Sequence, residues 1–144
     1  MSAVLDSIKY DNLLNNVTKL NNILSKVDSL STQVAGLQTT RDLRLDADIC
    51  RLVAGETKMV TATEENREKA HKLQELSARL TSAANQYRGA VYANLSTLAK
   101  AKKGDQRSIS RVNRTYIDWL VSGAEDTLAD LQQAWDDIQT ADGN

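Results

Sequence analysis

An all-α fold, read as an elongated helical bundle or coiled coil of three to four helices, follows from three observations. The 144 residues contain no proline and only six glycines. Proline breaks helix interiors and marks many turns, so its absence points to long uninterrupted helices. Apolar residues recur in alternating steps of three and four, the a/d rhythm of coiled coils. Aromatic residues make up only 4% and Phe is absent, leaving Leu, Ala and Val to fill helix seams rather than a thick sandwich core. No β-rich run bounded by turn residues competes with this pattern. The length fits one helical domain over 1–144, with helices expected at about 5–38, 41–58, 62–102 and 107–139.

After a weakly patterned lead-in over residues 1–10, the first heptad pattern has two rows. One is Leu13, Leu20, Val27 and Val34; the other is Asn16, Ile23, Leu30 and Leu37. Leu14, Val17 and Leu24 widen the stripe, so the helix should meet more than one neighbour. Its polar face is rich in Asn, Ser, Thr and Gln, all mediocre helix formers. Such a segment depends on packing along its seam, so residues 11–38 are expected to be held by partner helices and the two rows to form an oligomer interface. Asn16 occupies a d position, where a buried Asn fixes register and a solvated one does nothing.

Around Gly36 to Thr40 the phase slips. Thr39 with Asp42, or Thr40 itself, is placed to cap a new helix. The next apolar set is Leu45, Ile49, Leu52, Val53, Met59 and Val60. Two readings stay open: one continuous helix with a stutter, or a short separate helix ending at Gly55.

Thr61 followed by Glu64 reads as a capping box. The rows beyond it are Leu73, Leu80, Tyr87 and Leu76, Ala83, Ala90, followed by Val91, Leu95 and Leu98. The clearest break is Lys103-Gly104-Asp105-Gln106, with Gly104 at a C′ position and Ser108 as the next cap. The last stripe runs Val112, Tyr116, Leu120, Ala124, Leu128, Leu131, Trp135, Ile138. Helices this long either fold back as a hairpin bundle or extend and associate with other copies.

No chemistry-bearing constellation emerges. His71 is the only histidine and sits among charges, whereas a metal site needs several converging ligands. Cys50 lacks the neighbours that activate a thiol and reads as a small half-buried apolar residue. Asp46 and Asp48 resemble a fragment of a calcium loop without its Gly and terminal Glu. Phosphate-binding, dinucleotide and nucleophile-elbow motifs are missing, so no catalytic, cofactor-binding or metal residue is assigned and no cofactor is expected. The single cysteine cannot form an internal disulfide. No basic segment leading into an apolar one opens the chain, so no signal peptide is expected and the location expected is cytoplasmic or virion-associated. No run approaches the length of a transmembrane span.

Charge is the more informative signal. The net charge is −1, which exerts no global pull toward nucleic acid or membrane. Yet Lys100, Lys102, Lys103, Arg107, Arg111 and Arg114 cluster against one acid, while residues 115–144 carry seven acids and no Lys or Arg. Three explanations compete: solvated faces, a basic end of one subunit meeting the acidic end of another, or a basic corner touching phosphate. Trp135 falls on the last stripe and is expected in the core. Trp119 stands one position off it and is a candidate contact anchor. The function expected is that of a non-enzymatic, homo-oligomeric helical assembly protein, such as a virion or secretion-apparatus component. The alternatives are a helical adaptor or chaperone-like module for another helical protein, and a binder of nucleic acid or an anionic surface.

Overall fold

The structure, a computed structural model, describes residues 3–102 and 111–142, with side chains described over 8–102 and 114–141. Three long helices make up almost all of it: α1 (Ala3–Val53), α2 (Val60–Lys102) and α3 (Arg111–Asp142), with a 3₁₀ turn at Thr57–Met59. No strand occurs among the described residues. The protein is an all-α helical bundle. Its chain divides into two compact units: unit 1 is Met1–Val27 with Ser82–Ala129, and unit 2 is Asp28–Thr81 with Asp130–Asn144. Each unit therefore takes one segment of every helix.

The expected break between residues 38 and 41 does not occur. α1 runs without interruption to Val53, which decides between the two readings left open by the sequence. Thr39 and Thr40 do not cap a new helix. Their hydroxyls donate to the carbonyls of Ala35 (3.0 Å) and Gly36 (3.3 Å), one turn back, a use of Thr compatible with helix interiors. The row Leu13, Leu20, Val27, Val34 also continues at the same seven-residue spacing, through Arg41 and Asp48, and both are buried. Only the chemistry of the row changes. The flank shifts by one residue, from Ile23 and Leu30 to the half-buried Gln38, Leu45 and Leu52, as expected where 3.6 residues per turn drifts against a repeat of seven.

α1 ends where its backbone can reverse. Gly55 has φ +98°. Glu56 N donates to Arg51 O and Gly55 N to Leu52 O, both at 3.0 Å. This 6→1 and 5→2 pair is a Schellman motif, which satisfies the last carbonyls of a helix and needs a left-handed residue at C′. Met59 N then bonds Glu56 O at 3.0 Å, and the 3₁₀ turn leads directly into α2 at Val60. Backbone therefore starts α2, one residue before Thr61, and the capping box expected at Thr61 does not form. Glu64 instead lies 3.6 Å from Arg67 at the surface.

In unit 1, Leu13, Val17, Leu20 and Val27 of α1 share an interior with Ala84, Tyr87, Val91 and Leu98 of α2 and Ile117, Val121 and Ala124 of α3. In unit 2, Leu30 and Val34 are buried with Leu73, Leu76, Leu80, Leu131 and Trp135. Each fully buried Leu or Val stabilises the fold by about 1.5–3 kcal/mol relative to exposure. The rows expected on α2 and α3 are buried or half-buried at every described position but two. Leu95 and Tyr116 face outward, while Asn94 and Ile117 take the interior positions beside them. The stripe on α3 steps 117, 121, 124, 128, 131, 135, 138, a heptad that includes Trp135 and excludes Tyr116.

Candidate interaction surfaces

The eight residues expected to form an oligomer interface are core residues of the single chain. Leu13, Leu20, Ile23, Val27, Leu30 and Val34 are buried within it, and Asn16 and Leu37 are half-buried. The partners that hold residues 11–38 are α2 and α3. Asn16 donates from Nδ2 to Asp118 Oδ1 in unit 1. In unit 2, Trp135 donates from Nε1 to Gln33 Oε1 at 3.3 Å. Both of these α1–α3 contacts join residues 102 apart.

Unit 2 contains a polar cluster that the apolar pattern of the sequence does not reveal. Asn66 donates from Nδ2 to Asp48 Oδ2 at 2.5 Å and accepts from Arg41 Nη1 at 3.3 Å. Asn66 thus uses both ends of its amide to bridge a cation and an anion. Arg41 and Asp48 are almost completely withdrawn from water. Burial, and after it the like charge of Arg44, lowers the pKa of Arg41. The signal in the sequence is spacing: Arg41 and Asp48 continue the Leu13 row, and Asn66 is seven residues before Leu73. Asp48 is thereby a structural residue, and among the described residues no group of three or more His, Cys, Asp or Glu is arranged to hold a metal ion. Cys50 is exposed rather than half-buried. His71 lies at the surface, with Nε2 3.0 Å from Glu75.

A groove of about 170 Å³ opens in unit 2, lined by Leu73, Ile138 and Ala141 with Glu65, Glu68, Lys69 and Lys72. Its lining carries two carboxylates and two lysine ammonium groups. Also in unit 2, Ile49, Val53 and Val60 are exposed on either side of the turn.

Of the expected basic patch, Lys100 and Lys102 are exposed. Arg114 is half-buried, with its Nε enclosed and, among the described residues, without a hydrogen-bond partner. Lys103, Arg107 and the side chain of Arg111 lie outside the described residues. No helix among the described residues is long and apolar enough to cross a membrane.

The two tryptophans have opposite environments. Trp135 is 5% exposed, whereas Trp119 is 66% exposed. Trp119 pairs with Tyr116 at a ring-centroid distance of 6.1 Å and an interplanar angle of 37°. On α2 of the same unit, Tyr92 is 66% exposed and Leu95 lies one turn further on, also exposed. Three of the chain's six aromatic residues (four Tyr, two Trp) therefore point outward from unit 1. The chain matches no protein-family model, and neither a curated protein nor a solved structure matches it significantly.

Proposed function

We propose that this protein is a non-enzymatic helical assembly module that associates with further copies of itself through the outer face of its helices. The observation that carries this reading is the outward aromatic set of unit 1, Tyr92, Tyr116 and Trp119. Aromatic side chains concentrate interface energy because they bury large rigid areas at low entropic cost. A chain with so few of them places half where its own core gains nothing. The seam along α1 is not the surface in question, because α2 and α3 already cover it. The same fact weighs against the adaptor reading in which that seam is lent to another protein.

Sedimentation velocity over a wide concentration series tests the proposal. A rising weight-average sedimentation coefficient is expected, with Trp119→Ala shifting the transition to higher concentration while helicity is retained. A single monomeric species at every concentration would overturn it.

A further inference from the structure

Two exposed stripes in unit 1 mirror each other. On α2 the outward residues are Tyr92, Leu95, Ala99 and Lys102; on α3 they are Tyr116, Trp119, Gly123 and Asp126. Both step by three, four and three, which keeps four residues on one helix face in the a/d rhythm. Both run in the same chemical order: an aromatic ring, a large apolar side chain, a small residue, a charge. The charges are opposite, and among the described residues neither Lys102 nor Asp126 has an ion-pair partner. Nothing inside the chain explains Gly123. A Cβ at that position would meet no atom within 4 Å, as at Gly36 and Gly89, so the fold has no steric need for a residue that weakens a helix interior.

We infer that the α2 stripe of one copy packs in parallel against the α3 stripe of a second copy. This rests on the self-association proposed above and names its interface. In that alignment Tyr92 meets Tyr116, Leu95 meets Trp119, Ala99 and Gly123 let the backbones approach, and Lys102 lies beside Asp126. The reversed alignment would set each charge against an aromatic ring and separate the two charges by about three turns, so charge complementarity selects the parallel one. The occupant is a second copy because the chain itself carries both complementary faces. The contact joins unlike surfaces, so each copy presents one of each, and the assembly either closes on a symmetry axis or propagates. One such helix pair falls in the small, transient class of interfaces, below about 1,200 Å². Repetition along an assembly then supplies the stability that a single contact lacks.

The test uses the full chain and its variants in sedimentation velocity, with circular dichroism as the check on folding. Gly123→Leu should keep its helicity and melt no lower than the parent, since the space is open and Leu suits a helix interior better than Gly, and should remain monomeric where the parent associates. Lys102→Asp and Asp126→Lys should each weaken association about fivefold to tenfold, the loss of one exposed pair plus a new repulsion. The double variant, or a mixture of the two single variants, should recover it. If the parent associates but Gly123→Leu and both charge reversals associate equally well, this pairing is wrong and self-association stands on another surface. If the parent never associates, the pairing falls together with the broader reading.

Discussion

Unit 1 and unit 2 are built from segments of the same three helices, yet they distribute polarity in opposite ways. Unit 1 has an almost wholly hydrocarbon interior, with Asn94 as its one buried polar side chain among the described residues, and it exposes a tryptophan and two tyrosines. Unit 2 buries its tryptophan and also buries Arg41, Asp48 and Thr63. Hydrophobic burial is non-directional and tolerates many packings, whereas a buried ion pair bridged by an amide has one geometry. In unit 2 the helix register is therefore specified from inside. In unit 1 the exposed aromatic residues, Tyr92 and the paired Tyr116 and Trp119, face outward.

The largest expected effects break this comparison at its tryptophans. Trp135→Ala should destabilise the protein by about 3–5 kcal/mol, because it empties a filled site and leaves Gln33 without its donor. Trp119→Ala should change stability by less than about 0.5 kcal/mol, as surface substitutions do. Urea denaturation of both variants checks the contrast. Equal losses would mean that Trp119 is part of the core.

The polar cluster comes next. Asp48→Ala strips the carboxylate from Asn66 and removes the anion from a buried cation–amide–anion bridge, for an expected loss of about 3 kcal/mol. Replacing the whole cluster, as Arg41→Met with Asp48→Leu and Asn66→Leu, should be neutral or stabilising by about 1–4 kcal/mol. That variant converts the interior of unit 2 to the chemistry of unit 1. Thermal melts of the single and triple variants decide whether the cluster serves stability or specificity. A triple variant less stable than Asp48→Ala would assign it to stability.

These sites also show what is legible in sequence. The all-α class and the burial of Trp135 follow from local signals: missing proline and a position on an apolar heptad. The end near Gly55 is only one of two readings, because the apolar set runs on to Val60 and a helix is expected to 58, whereas α1 ends at Val53. The continuity of α1 is hidden because its heptad changes from apolar to ionic at Arg41. An apolar-only reading takes that change for the end of the helix, although the spacing of seven never alters. One position of the α3 stripe is misread for the converse reason. Tyr116 is large and apolar enough to look like core, but the interior row passes through Ile117 beside it. The α1 rows are recognisable as a seam, but their partner lies in the same chain rather than in another copy. Periodicity shows that a face is covered; it does not distinguish a neighbouring chain from a helix further along the same one.

The turn that joins α1 to α2 lies in unit 2 and should respond more weakly than either core site. Gly55→Ala places a Cβ at φ +98°, which costs about 1–2 kcal/mol for an L-residue in the left-handed region. The space around it is open, so the cost is purely conformational. Gly55→Asn, which tolerates that region better, should recover part of it. Equal melting temperatures for the parent and Gly55→Ala would mean that the Schellman end of α1 is not retained in solution.

The smallest expected effect is a gain, and it separates one helical glycine of each unit. Gly36 in unit 2 and Gly123 in unit 1 both sit within helices, with no atom within 4 Å of the place an added methyl group would occupy. Substituting Ala at either should stabilise the monomer by about 0.5–1 kcal/mol, because Gly loses more backbone entropy in a helix than Ala does. Their consequences for association should differ. Gly36→Ala touches no proposed contact and should leave the sedimentation profile unchanged. Gly123→Ala adds a methyl group where two backbones are proposed to meet, and should shift association to higher concentration despite the more stable fold. A melting temperature that rises in both variants, with association that falls in only one, would tie Gly123 to a contact outside the chain.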